Sequence, residues 1–209
     1  MPELTETVLD RALDQAAVWR HQGQPLNVAV NLSATSLVDI HLPERIGASL
    51  AARQLPATAL QLEITEDFLM TDRMRAHEIL QRLRGMGVQI AIDDFGTGYS
   101  SLAYLRELPI DELKLDRSFI SPMADDARAA ALVVSIIDMA HSLGVRLVAE
   151  GVESDAALRE LTANGCDQAQ GYYLCRPVPA AELDYWLSER AAISSTSALT
   201  SSPTQIGRR

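Results

Sequence analysis

The chain has 209 residues, 47% of them hydrophobic and 22% charged, which is enough apolar mass for one well-buried globular domain. Its 28 acidic residues outnumber 18 basic ones, and the formal net charge of -10 excludes a surface for nucleic-acid polymers. An anionic small ligand then needs a cation to reverse the local potential. Cys166 and Cys175 match no metal or redox spacing and are too few for a disulfide framework, which suits a reducing cytoplasm. No stretch is long and apolar enough to span a membrane, and the N-terminus lacks a secretory pattern.

In chain order, residues 5–21 are expected to form a helix with Val8, Leu9, Ala12, Leu13 and Ala16 on one face. Strands follow at 26–32 and 60–65, then a helix at 72–85 carrying Met74, Ile79, Leu80 and Leu83. A strand at 88–92, another at 112–116 and an apolar helix at 127–143 come next. Residues 146–149 read as a strand, Ser154 as the cap of a helix ending at Asn164-Gly165, and 168–174 as the sixth strand. This alternation predicts an α/β fold of parallel strands with crossover helices. Residues 1–190 form the expected domain. Residues 191–209, rich in serine and threonine and without apolar periodicity, form an expected disordered tail.

Polar residues fall within or just after successive strands: Asn31, Glu63, Asp93, Asp94, Lys114, Asp116, Glu150 and Gln170. Many strand ends converge in a closed (β/α) barrel, whereas an open sheet gathers its ligands at one switch point. A barrel is therefore favoured, yet only six strands can be counted where eight are needed, and the deficit lies at the N-terminal side. The pair Asp93-Asp94 ends an apolar strand and leads into Gly96 and Gly98. It is either a solvated turn or a site for a divalent cation, because adjacent carboxylates at an apolar mouth need compensation. Glu63 alternates with Leu62 and Ile64 and points either into the lumen or to solvent. Asn31 is either an oxygen ligand or a turn former. Lys114, between Leu113 and Leu115, reads as a buried ammonium among carboxylates or as a structural partner of Asp116. Glu150 precedes Gly151, and Glu153 stands beside the Ser154 cap, where it also reads as helix-dipole decoration. Gln170 reads a ligand edge or satisfies backbone. His21, His41, His77 and His141 have no metal-ligand spacing.

Taken together, Asn31-Leu-Ser33, Glu63-Ile-Thr-Glu66, Asp93-Asp94-Phe-Gly-Thr-Gly-Tyr-Ser-Ser101, Lys114-Leu-Asp116, Ala149-Glu-Gly-Val-Glu153 and Gln170-Gly-Tyr-Tyr173 resemble the EAL-domain family. Those proteins are metal-dependent phosphodiesterases that linearise the second messenger cyclic di-GMP. The resemblance spans residues 4–188 and implies a modified TIM (β/α)8 barrel with two Mg²⁺ or Mn²⁺ ions. It implies that Asn31 and Glu63 bind one metal, that Asp93 bridges both, and that Asp94 and Glu150 hold the second. Lys114 and Asp116 would position the attacking water and phosphate, Glu150 would also serve as general base, and Gln170 and Asp116 would contact substrate. Glu66 and Glu153 would brace loops, and the loop from Asp94 to Ser101 would contribute to a homodimer. The Glu-Ala-Leu segment that names the family is absent from these 209 residues, and with it the first metal-ligand glutamate. About six of eight strands and five of six metal-binding residues are therefore expected, with weak or no cleavage by the isolated chain. The alternative reading is a module that binds cyclic di-GMP or a protein partner without turnover.

Overall fold

Among the described residues, six parallel strands paired in strict chain order form one wall. A computed structural model describes residues 3–33, 36–65, 73–98 and 102–188. The elements are α1 (Glu3–His21), β1 (Val28–Asn31), α2 (Leu42–Ala52), β2 (Leu60–Thr65), α3 (Arg73–Gly85), β3 (Gln89–Phe95) and α4 (Leu102–Leu105). They continue as β4 (Glu112–Leu115), α5 (Arg117–Ile120), α6 (Ala127–Ser142), β5 (Arg146–Ala149), α7 (Asp155–Ala163) and β6 (Gln168–Ala169). The register runs Asn31 beside Glu63, Glu63 beside Ala91, Ala91 beside Glu112, Lys114 beside Val148 and Ala149 beside Ala169. The result is a half-barrel whose two edges are β1 and β6.

Strand alternation divides this wall into two unlike faces. Val30, Leu60, Leu62, Ile64, Ile90, Ile92, Leu113, Leu115, Leu147 and Ala149 are buried on the side covered by helices. Leu9, Leu13, Ala16, Ile46, Leu50, Ile79, Leu80, Leu83, Val133, Ile137, Ala157 and Leu161 supply the facing apolar stripes. The opposite face carries Asn31, Gln61, Glu63, Gln89, Asp93, Glu112, Lys114 and Arg146. At its lower end Gln61 Nε2 donates to Glu112 Oε1 at 2.9 Å, and Arg146 Nε and Nη2 donate to Glu112 Oε2 at 3.3 and 3.2 Å. That network satisfies Glu112, a buried glutamate outside the residues expected from sequence to form a site. Its signal was a polar residue recurring near the start of successive strands.

β2 and β5 coincide with the expected ranges 60–65 and 146–149. β3 runs beyond its expected end at residue 92, through the acidic pair to Phe95. β4 stops at Leu115, so Asp116 is not a strand residue as expected; its carboxylate caps α5 instead. β6 is two residues long rather than seven, because pairing passes to the loop after β5 (Val152 N–H to Gln170 O, 3.0 Å). The chain then turns, with the Leu174 and Cys175 amides donating to Gly171 O. α2 was not expected, although Leu42, Ile46 and Leu50 carry an i, i+4, i+8 buried stripe. Residues 1–175 form one unit and residues 176–209 a second, of which a helix at 180–188 is described. The expected tail at 191–209 lies outside the described residues, as does Glu66. No helix among the described residues is long and apolar enough to cross a membrane.

Candidate active site

The upper end of the polar face gathers the residues singled out in the sequence. Lys114 Nζ contacts Glu63 Oε1 at 2.9 Å, Asp93 Oδ1 at 2.8 Å and Glu150 Oε1 at 2.7 Å. Glu63 is 8% exposed and Lys114 is 6% exposed, so this is a buried cluster rather than a surface network. β2, β3, β4 and β5 each supply one member, either from the strand or from the residue after it. Burial would lower the Lys114 pKa, but hydrogen bonds with Asp93, Glu150 and Glu63 outweigh it and hold the ammonium above its ordinary value. Asn31 Nδ2 donates to Glu63 Oε2 at 3.3 Å, which brings β1 into the same cluster.

A bulge explains how two adjacent carboxylates reach one space. Ile92 pairs with Leu113 and Phe95 with Leu115, so β3 spends one residue more than β4 over that interval. In an unbroken strand Asp93 and Asp94 would point to opposite faces. Here Asp94 adopts φ +52°, a left-handed conformation that aspartate tolerates better than most residues. The Thr97 amide and hydroxyl hold its carbonyl at 3.2 and 2.9 Å. Ligand oxygens of Asp93, Asp94 and Glu150 thereby come within 4.8 Å of one another. Three hard oxygen donors at that spacing could hold a divalent cation. Burial raises the Glu150 pKa, with Lys114 offsetting the rise and Asp93 and Glu63 adding to it. Partial desolvation, followed by repulsion from Asp93 and Asp116, raises that of Asp94.

Asp116 plays its part from the first turn of α5. Its Oδ1 accepts from Ser118 Oγ at 2.6 Å and from the Ser118 amide at 3.0 Å, and the Ser118 hydroxyl is the main reason its pKa lies below the usual carboxylate range. Its carboxylate is engaged by Ser118 while Lys114 pairs with Glu63, Asp93 and Glu150, so the Lys114–Asp116 pair offered by the sequence as the structural alternative is not the one formed. A lowered folded pKa contributes stability above the unfolded value near 3.8 that is lost as pH falls through the folded value. Ser118→Ala is expected to raise the Asp116 pKa and to remove that protection against acid. Carboxylate chemical shifts followed from pH 2 to 6 check it, and an unmoved Asp116 titration would contradict it.

Beside the cluster a cavity of about 210 Å³ is lined by Asp116, Arg117, Glu150, Glu153, Gln170 and Tyr172, together with Gly151 and Gly171. Gln170 and Glu153 are exposed on its rim. Arg117 was not singled out from the sequence, although it is a cation directly after Lys114-Leu-Asp116 in an acidic chain. Of the loop expected to join two protomers, Asp94 to Gly98 is described and residues 99–101 lie outside the described residues.

A sequence model of the EAL domain matches residues 1–177. The bifunctional diguanylate cyclase/cyclic di-GMP phosphodiesterase MucR of Pseudomonas aeruginosa is 44% identical over 182 residues, covering 87% of this chain and 27% of MucR. The cyclic di-GMP phosphodiesterase RocR of the same organism is 44% identical over 164 residues, covering 78% of this chain and 42% of RocR. The chain thus spans from about a quarter to under half of these relatives' length. The structure of the MucR phosphodiesterase in complex with c-di-GMP superposes with a TM-score of 0.81 at 44% identity, over 87% of this chain and 74% of that one.

Proposed function

Since the chain belongs to the EAL-domain family, we propose that its cleft binds cyclic di-GMP and hydrolyses one phosphodiester to give linear pGpG. The observation that carries this reading is Lys114 held at 2.7 to 2.9 Å from Glu63, Asp93 and Glu150, with Asp94 closing a cation-sized acidic cluster. MucR, similar over most of this chain, is named as a phosphodiesterase and has been solved with the dinucleotide.

Water oxygen forms a new P–O bond as the ribose 3′ P–O bond breaks, and the departing oxygen gains a proton. Asn31 and Glu63 would hold one Mg²⁺ or Mn²⁺ ion, Asp94 and Glu150 a second, with Asp93 between them. Bound there, the two ions supply Lewis-acid polarisation and charge neutralisation at the phosphate. Lys114 adds a fixed positive charge beside the attacked phosphate, and Asp116 orients the water. Glu150, its proton affinity raised by burial, takes up the proton that the water loses. Gln170 contacts the guanine edge from the cavity rim, and Glu66 and Glu153 would brace the flanking loops. The reading carries with it a cytoplasmic setting and a homodimer joined through residues 94–101.

The test is cleavage of cyclic di-GMP by the 209 residues with Mg²⁺ or Mn²⁺, followed by chromatography of pGpG. Saturable binding with slow, metal-dependent turnover is expected, and chelation should end the turnover. Binding without turnover under every metal condition would favour the binding-module alternative, and neither binding nor turnover would refute the family function for this chain. Mn²⁺ affinity should rise as pH increases, because Asp94 and Glu150 must first lose protons that their raised pKa values retain. Calorimetric titrations at several pH values would show it.

A further inference from the structure

α5 is only one turn long, yet it touches both loops that carry the cation-sized carboxylate cluster. Its geometry is fixed from within: Asp116 caps it through the Ser118 amide and hydroxyl, and the Phe119 amide donates to Asp116 O at 3.1 Å. Phe119 is half-buried against the core. The edge of its ring lies where a side chain at Gly96 would be, with Cε2 and Cζ both 2.6 Å from the position of a Cβ there. Gly96 itself has φ +96° and stands two residues after Asp94. On the other side of the turn, a Cβ at Gly151 would fall inside Arg117 Cβ, and Gly151 directly follows Glu150. One turn is thus wedged between the bulge of β3 and the loop after β5, with a glycine at the point of contact on each side.

We infer that Phe119 is a positioning residue that sets the separation of Asp94 from Glu150 by pressing its ring edge on Gly96, with Arg117 fixing the opposite side at Gly151. The inference rests on the metal-binding reading of that cluster. Asp94 sits in a left-handed conformation that an ordinary strand would relax. Without the ring, the turn at residues 94–97 gains room on the α5 side and the Asp94 carboxylate is free to drift from its partners. Outer groups of this kind typically alter metal affinity by about 10- to 100-fold when removed.

The experiment is Mn²⁺ binding to the metal-free chain, by calorimetry and by loss of the free-ion electron paramagnetic resonance signal. Phe119→Ala should weaken binding about tenfold or more. Phe119→Met, whose flexible end reaches Gly96, should recover most of it. Val28→Ala, on the helix-facing side of β1, serves as a destabilised control and should bind as the parent does. Because a side chain at Gly96 is strained by its φ of +96° whatever surrounds it, Gly96→Ala is read against Phe119→Leu: it should weaken binding more with Phe119 in place than in Phe119→Leu, and this comparison keeps the test open if Phe119→Ala does not fold. In the metal-free protein, hydrogen exchange at residues 95–98 should quicken in Phe119→Ala. Parent-like affinity in Phe119→Ala or, where that variant does not fold, equal weakening by Gly96→Ala with Phe119 and with Leu at that position overturns the inference and leaves the metal reading standing. Equal weakening by Val28→Ala also overturns it. A parent chain with no affinity for Mn²⁺ overturns the metal reading and this inference together.

Discussion

Replacing Lys114 by alanine is expected to end turnover and to destabilise the metal-free chain by about 3–5 kcal/mol, the scale for breaking a buried ion pair from one side. The ammonium is the shared partner of Glu63, Asp93 and Glu150, and its loss leaves three carboxylates facing a space none can leave. The pH dependence should invert accordingly. In the parent, the Lys114 pKa is raised above its ordinary value of 10.5, so its contribution is complete below that pH and is lost as pH rises through the folded value. In the variant, Glu150 loses the Lys114 ammonium that offsets its burial, so its folded pKa rises further and the folded state gains a proton. Stability should therefore increase as pH falls from 7 toward 5. Mn²⁺ should also recover part of the loss, since a cation bound only by the folded state stabilises it. Urea unfolding at pH 7 and pH 5, with and without Mn²⁺, provides the measurement. Parent-like stability at pH 7 would show that Lys114 is not the counter-ion of this cluster.

The second large effect has opposite signs for stability and function. Asp94→Gly relieves a left-handed residue and removes a carboxylate repelled by Asp93 and Asp116. The metal-free variant should gain on the order of 1 kcal/mol, the scale of the left-handed penalty for residues with a Cβ. It should at the same time lose Mn²⁺ binding and cleavage by at least about 100-fold. Asp94→Asn, which tolerates the same backbone but carries no charge, should lose binding to a similar degree with a smaller change in stability. A less stable Asp94→Gly, or one that still binds Mn²⁺, would mean that the bulge is not held under strain for its ligand.

How much of this was legible before the structure differs by element. β2 was readable to the residue because Leu60, Leu62 and Ile64 alternate with Gln61 and Glu63, and β5 because Leu147-Val148-Ala149 is a short apolar run bounded by Gly144 and Glu150-Gly151. Lys114 between two leucines was readable as a buried charge for the same reason. The gathering of Glu63, Asp93, Lys114 and Glu150 followed from their shared place at strand ends. The bulge was not readable. Strand periodicity assigns Asp93 and Asp94 to opposite faces, and nothing in the residue types says that β3 will spend an extra residue against β4. Asp116 was misplaced because its capping role depends on where β4 ends, and apolar alternation in Glu112–Leu115 carries no stop signal. α5 is too short for any helical period. Its contacts with Gly96 and Gly151 join positions far apart in the chain, so only the folded backbone reveals them.

Each strand of the wall pairs only with those beside it in the chain, and this sets the order in which charges meet during synthesis. Domains are made from the N-terminus onward, and contacts local in sequence form before distant ones. Glu63 and the Asp93-Asp94 pair leave the ribosome before Lys114 does, and Glu150 follows it. The growing sheet therefore carries uncompensated negative charge on its polar face until β4 docks. Closing the cleft around those acids before Lys114 arrives would bury like charges without a partner, which is unfavourable.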